Sequence, residues 1–244
     1  MLSSFGSDLH ALVIGASGGI GRAIVDELVA DPQVSQVTAY SRSGVNHNSG
    51  KVSSHRIELL DVDSIASAAS NVPKAIDLLI VATGILSGGN KFPPEKSIRE
   101  FDASAFATLY AVNAIGPAII AQHFLPLMNK RTRSVFAALS ARVGSIQDNR
   151  LGGWAAYRMS KSALNMMLRT AAIELSRRSP NAIVVGLHPG TVDTSLSSPF
   201  TKKLKADKLF SPTESAAMLL GVIDGLATED TGGFFAFDGS SIEF

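Results

Sequence analysis

No cysteine occurs in the 244 residues, which excludes disulfides, thiol nucleophiles and cysteine–metal sites, and no metal site is expected. No charge of one sign dominates either. Lys and Arg number 22 against 21 Asp and Glu, a net +1 that gives no reason to expect a nucleic-acid partner. Hydrophobic residues make up 45% of the chain. They nevertheless form no run of about 18 apolar residues, so a membrane span is not expected. Residues 1–8 lack a basic region followed by an apolar one, so no secretory signal is expected. Internal repeats, low-complexity segments and linker-like stretches are missing as well. What remains is the composition of a cytoplasmic protein with one domain over 1–244.

Short apolar runs alternate with helical periodicity along the whole chain. The runs predict strands near 11–14, 36–40, 55–59, 78–82, 134–139, 183–187 and 234–237. Helices are predicted near 21–30, 62–71, 98–128, 154–177 and 212–227, with surface loops at 44–50 and 86–94. Strands that alternate with helices build βαβ units, hence a parallel sheet with helices on both faces.

The first strand runs into Gly15-Ala16-Ser17-Gly18-Gly19-Ile20-Gly21, which opens a helix. Glycines let the backbone approach a ligand closely, and the free N–H groups of a helix start favour negative charge, so this junction suits a pyrophosphate. Its spacing is Gly-x3-Gly-x-Gly, not Gly-x-Gly-x-x-Gly. The run also satisfies Gly-x-Ser-x-Gly, the nucleophile elbow of α/β-hydrolases. Such an elbow needs an earlier strand to supply its oxyanion loop, and only fourteen residues precede Gly15.

Farther on, Tyr157-Arg158-Met159-Ser160-Lys161 sets a phenol and an ammonium at i and i+4 on one helix face. A nearby Lys⁺ is expected to lower the phenol from its usual pKa of about 10, making Tyr157 a proton donor or acceptor for a carbonyl or an alcohol.

Together these motifs resemble the short-chain dehydrogenase/reductase family, and the resemblance covers essentially the whole chain. It also takes in Asp61-Val62, Asn113, Ser140 and Pro189-Gly190-Thr191-Val192-Asp193-Thr194. The run from Ser140 to Ile146, followed by Tyr157 to Lys161, looks most like the C-factor and sniffer branch. The resemblance implies a Rossmann-type doubly wound parallel sheet of about seven strands and hydride transfer between a nicotinamide and a small carbonyl or alcohol. It implies a catalytic tetrad of Asn113, Ser140, Tyr157 and Lys161. Tyr157 would move the proton, Lys161 would tune it and hold the nicotinamide ribose, Ser140 would bond the substrate oxygen, and Asn113 would anchor a proton relay.

By the same resemblance Gly15, Ser17, Gly18, Gly19, Ile20 and Gly21 would hold the pyrophosphate. Asp61 and Val62 would meet the adenine, although Asp61 is equally an N-cap for the helix that follows. Ala82 and Gly84 would flank the cofactor, but the family's two asparagines there are replaced in Val81-Ala82-Thr83-Gly84. Pro189, Gly190, Val192 and Thr194 would meet the nicotinamide end. No carboxylate follows the second strand, where an NAD site usually carries one; the chain has Tyr40-Ser41-Arg42-Ser43 instead. Arg42, helped by Ser41, would bond a 2′-phosphate, so NADP(H) is favoured over NAD(H). The family's basic residue within the glycine loop is absent, with Ser17 in its place.

Other readings stay open at the rim. The Ser140–Tyr157 interval is longer than in most of the family, and Trp154 is either a pocket wall or a core residue. Residues 195–210, with Lys202, Lys203, Lys205 and Lys208, form either a lid or a solvated lysine face. His188 reads as a buried, satisfied imidazole. A dinucleotide sensor on the same fold is the non-enzyme alternative. A nucleotide-sugar epimerase would share Tyr-x3-Lys but needs a larger C-terminal part. The helices over 101–128 and 154–177 are more apolar than a single stripe requires, which favours a homo-oligomer.

Overall fold

The computed structural model describes residues 2–88, 92–201 and 209–244. Seven strands form one parallel sheet: β1 (Leu9–Ile14), β2 (Val34–Ser41), β3 (Val52–Arg56), β4 (Leu78–Val81), β5 (Ser134–Leu139), β6 (Ala182–His188) and β7 (Phe234–Ala236). Their order is β3-β2-β1-β4-β5-β6-β7, so the winding reverses between β1 and β4. The helices are α1 (Gly19–Ala30), α2 (Val62–Ser70), α3 (Ala103–Tyr110), α4 (Gly116–Phe124), α5 (Ala155–Ser176), α6 (Ser198–Thr201) and α7 (Pro212–Gly225). This is the doubly wound α/β fold that the alternating pattern predicts.

The inner strands are buried on both faces, which is why they read as unbroken apolar runs. Along β1 the side chains divide between two cores: Ala11 and Val13 join Leu28, Leu219 and Ile223 beneath α1 and α7. Leu12 and Ile14 join Ile65, Phe124 and Leu164 beneath α2, α4 and α5.

Two expectations shift. The third strand covers Val52–Arg56, not 55–59, because it is an edge strand whose residues from Ser53 to Arg56 are exposed. An exposed polar edge has no apolar signature, and the apolar Ile57 and Leu59 that drew the prediction lie just beyond it. The helix over 98–128 is not uniform. After α3 the chain makes a π-turn over Ala111–Ile115 before α4 resumes the α-helix. Pro117 has no N–H for the carbonyl of Asn113 four residues earlier, so the α ladder breaks there, around Asn113. Taken as one rod, Ala103–Leu127 has 25 residues and contains an 18-residue window of mean hydropathy 1.5, long and apolar enough to span a bilayer although no strict apolar run exists. Its Leu109, Ile120, Ala121 and Phe124 are instead buried within the protein's own cores.

The start of α5 carries Tyr157, and its cap comes from another part of the chain. Trp154 at the N-cap is left-handed (φ 54°) and offers no side-chain bond. Glu95, only 6% exposed, supplies both acceptors: its carbonyl takes Trp154 N–H at 2.6 Å and its Oε1 takes Ala156 N–H at 3.2 Å. A carboxylate at a helix start also suits the dipole. Arg158 completes the corner by donating to Gly153 O at 2.9 Å and Gly152 O at 3.1 Å. Glu95→Ala should therefore cost about 1 kcal/mol, the usual worth of a cap, or about 2–4 °C in Tm for a chain of this size. Glu95→Gln keeps an acceptor and should lose less. Calorimetry that finds both variants at the wild-type Tm would remove Glu95 from the cap.

Candidate active site

The strands point their carboxyl ends at one edge, and at the β1/β4 reversal a cleft of about 260 Å³ opens there. Gly15, Ser17, Gly18, Ser41, Arg42, Ala82 and Gly84 all line it, together with Thr83. Two of its glycines have no substitute. Gly15 sits at φ +92°, and a Cβ on it would stand 2.9 Å from the Ala82 carbonyl. A Cβ on Gly21 would stand 2.2 Å from Gly15 O, closer than any side chain tolerates. The first α1 bond runs from Arg22 N–H to Gly18 O at 2.8 Å, so the amides of Gly19, Ile20 and Gly21 precede it with no intrahelical acceptor. Ser41 Oγ and Thr83 Oγ1 are buried without a hydrogen-bond partner among the described residues. A close-backed glycine turn, free first-turn amides and two orphaned hydroxyls fit a phosphate-bearing ligand. Arg42 is exposed at the cleft and makes no ion pair or hydrogen bond among the described residues.

Asp61 and Val62 do not line this cleft. Asp61 Oδ1 accepts from Asp63 N–H at 3.0 Å and Ser64 N–H at 3.2 Å, capping α2, and Val62 is 52% exposed. The wall is formed three residues earlier by Glu58, Leu59 and Leu60. The N-cap half of the Asp61 reading is seen directly, through Oδ1 alone. That Ile57 to Leu60 extend directly from β3 was the sequence signal that pointed to them.

The four tetrad residues lie around the ends of β4 and β5. Asn113, fully buried in the π-turn, donates to Ile85 O at 2.8 Å and Ser160 Oγ at 3.0 Å and accepts from Ile85 N–H at 2.9 Å. Lys161, 3% exposed, donates to Leu139 O at 2.8 Å. A Cβ on Gly84 would stand 3.3 Å from both Asn113 Oδ1 and Lys161 Nζ, so these two groups converge on residue 84. Ser140 follows β5, and its hydroxyl donates to Asn165 Oδ1 at 2.6 Å. Tyr157 packs with Leu86 and Leu109 in an apolar cluster that Phe92, Phe106, Trp154 and Phe200 surround. Trp154 and Phe200 meet edge to face at 5.2 Å, so Trp154 is part of the wall beside Tyr157.

The direction of the Tyr157 shift is the reverse of the expectation. Burial raises the phenol above its usual pKa, and no hydrogen bond reaches its hydroxyl among the described residues. Burial also presses Lys161 down to about 8, and its ammonium bonds a backbone carbonyl, not the phenol. The i, i+4 spacing placed the two on one face, but it could not report how dry that face is.

Beyond β6, Ser215 Oγ holds Pro189 O at 2.9 Å, and the Phe210 ring lies against Gly190. Val192 is buried and bridges Phe210. Thr194 lies over the glycine loop, its methyl 2.8 Å from where a Gly19 Cβ would be. His188 is half-buried, and its loss of solvent presses it down to about 4. Its Nδ1 has no hydrogen-bond partner among the described residues, so the imidazole is not the satisfied one expected. The lysine-bearing stretch 202–208 and residues 89–91 lie outside the described residues. Asn165 and Glu95 escaped sequence reasoning. Asn165, one turn past Lys161, was open to the same spacing rule, whereas nothing local marks Glu95 as a partner of α5.

The family model for short-chain dehydrogenases matches residues 9–205. An uncharacterized oxidoreductase of Schizosaccharomyces pombe is 30% identical over 96% of each chain. The C-signal protein of Myxococcus xanthus is 34% identical, over 60% of this chain and 82% of its own. The NADPH-bound carbonyl reductase from chicken fatty liver superposes with a TM-score of 0.84 at 25% identity, over 99% of this chain and 97% of that one. The Drosophila melanogaster carbonyl reductase Sniffer shares the fold at a TM-score of 0.83 and 22% identity, over 97% and 100%. With the fold, the glycine cleft and these relatives in agreement, the chain belongs to the short-chain dehydrogenase family of oxidoreductases.

Proposed function

We propose that residues 1–244 form a single-domain, cytoplasmic, NADPH-dependent reductase of small-molecule carbonyl compounds, with Tyr157 as the proton donor. What supports this reading is that Asn113 and Lys161 converge on Gly84 at the cleft, with Tyr157 one turn before Lys161 on α5 and Ser140 at the end of β5. When bound, the nicotinamide supplies the hydride. Gly15, Ser17, Gly18 and the amides of Gly19, Ile20 and Gly21 would hold the pyrophosphate. Glu58 and Leu59, with Asp61 and Val62 just beyond them, would form the adenine side. Ala82, Gly84, Pro189, Gly190, Val192 and Thr194 would hold the nicotinamide end, and Lys161 its ribose.

Tyr157 gives its phenolic proton to the carbonyl oxygen as that oxygen gains charge. A phenol raised by burial stays protonated at working pH, which suits a donor in the reductive direction. Ser140 bonds the same oxygen, and the apolar cluster around Tyr157 excludes water, so each bond counts for more than in solvent. Asn113 fixes the π-turn against Ile85 and Ser160, which keeps its side chain beside Lys161. Tyr157→Phe keeps the ring and loses the proton. Turnover in a screen of aldehydes, ketones and quinones should fall by about 10²-fold or more while cofactor binding persists. Lys161→Met should damage turnover and cofactor affinity together. A Tyr157→Phe variant near the wild-type rate would sink the mechanism.

The coenzyme choice rests on Arg42. Its guanidinium is unpaired among the described residues and shares the cleft with the orphaned Ser41 hydroxyl, a pair suited to a 2′-phosphate. No carboxylate follows β2 in the chain, and Glu58, from the end of β3, is the carboxylate that shares the cleft with Arg42. The chicken carbonyl reductase, a structural neighbour, is NADPH-bound. Arg42→Asp should weaken NADPH about tenfold or more, the effect of exchanging one charge-assisted bond for a repulsion, and leave NADH equal or better. An unchanged affinity ratio in fluorescence titrations would make Arg42 a surface charge.

The likeness to C-signal favours a second reading, a dinucleotide sensor with little turnover. Ser140, Tyr157 and Lys161 speak for chemistry, because a sensor has no need of them, and absent turnover in the same screen would reverse that choice. We further propose a two-fold homo-oligomer. On α5 the residues Met159, Met166 and Ile173 repeat every seventh position and are 46%, 67% and 48% exposed, and Ile115 is 55% exposed on the neighbouring π-turn. An apolar stripe of this kind needs a partner. Light scattering at micromolar concentration should give twice 25.6 kDa or more, and the monomer mass would refute the assembly.

A further inference from the structure

Ser140 and Asn165 form a buried pair, 4% and 2% exposed. Ser140 Oγ donates to Asn165 Oδ1 at 2.6 Å, and Asn165 Nδ2 is buried with no partner among the described residues. Both facts are unfavourable. A hydroxyl has one proton, so a serine that spends it on Asn165 offers the cleft only lone pairs and cannot stabilise charge growing on a carbonyl oxygen. Meanwhile the buried NH₂ has lost water and gained nothing. The amide turned end for end removes both problems. Nδ2 then donates to Ser140 Oγ, the unpaired group becomes a carbonyl oxygen, which is the less costly orphan, and the serine proton is released toward the cleft. Gly186 leaves room behind the amide, since even a Cβ there would stand 3.5 Å from Asn165 Oδ1. Tyr157, Lys161 and Asn165 stand at i, i+4 and i+8 of α5, so one helix face carries proton donor, ammonium and amide.

We propose that Asn165 is a positioning residue for carbonyl reduction: its Nδ2 donates to Ser140 Oγ and thereby turns the serine proton onto the substrate oxygen. This assignment rests on the reductase reading above. It is tested on the full chain with Asn165→Leu, Asn165→Asp, Ser140→Ala and the Asn165→Leu/Ser140→Ala pair, measuring carbonyl reduction, cofactor affinity and Tm. Asn165→Leu should lower kcat about ten- to a hundredfold with cofactor affinity unmoved, and should add nothing once Ser140 is alanine. Asn165→Asp accepts but cannot donate, so it should fall as far as Asn165→Leu. If Asn165→Leu fails to fold, Asn165→Ala takes its place in the same cycle. An Asn165→Asp variant at the wild-type kcat would mean that the amide only accepts, and overturns the proposal. So does an Asn165→Leu loss that persists undiminished beside Ser140→Ala. An impaired Ser140→Ala with an unimpaired Asn165→Leu overturns this assignment alone. A wild-type chain without turnover overturns the reductase reading and this assignment with it.

Discussion

A parallel strand must leave the sheet through a crossover before the next can enter, and every strand therefore delivers its carboxyl end to the same edge. Everything at the site depends on that constraint. Gly15 follows β1, Arg42 follows β2, Ala82 follows β4, Ser140 follows β5 and Pro189 follows β6, so residues far apart in the chain meet along one rim. The reversal between β1 and β4 sends neighbouring crossovers to opposite faces, and the cleft is the gap this leaves. Contact then sharpens the geometry. Gly21 backs onto Gly15 O so closely that only hydrogen fits between, which sets α1 square behind the loop.

The second organising fact is dryness. Asn113, Ser140, Ser160, Lys161 and Asn165 are all nearly inaccessible, and Tyr157 packs with Leu86, Leu109 and aromatic rings. Buried polar groups are costly unless paired, and most of these are paired with backbone: Lys161 with Leu139 O, Asn113 with both backbone groups of Ile85, Ser160 with Tyr157 O. Those bonds hold the site rigid. The groups left unpaired are informative for the same reason. Ser41 Oγ and Thr83 Oγ1 face the cleft, and Asn165 Nδ2 lies behind Ser140. Burial also shifts both titrating partners the same way in physical terms, toward their neutral forms, raising the phenol and lowering the ammonium.

Much of this was legible along the chain. Apolar runs and period-3.6 patterns announced seven strands and their crossover helices, because a strand buried on both faces is apolar throughout. Only the exposed edge β3 was placed too late, since nothing apolar marks it. Local motifs carried over well where their function is local: the glycine loop is one turn between a strand and a helix, and Tyr157 and Lys161 share a face because 3.6 residues make a turn. The N-cap reading of Asp61 was local in the same way, and the helix start bears it out.

The sequence alone determined the class of fold, the order of its elements, the glycine junction and the placing of a phenol and an ammonium on one helix face, since each follows from residues within a turn or two of one another. Tertiary structure decided what depends on contacts between distant segments. It joined Glu95 to α5 across 61 residues and turned Lys161 onto Leu139, 22 residues before it. It packed Tyr157 into an apolar cluster drawn from five separate stretches of chain. A pKa or a hydrogen-bond partner is a property of surroundings, and surroundings are assembled only when the sheet brings its strand ends together.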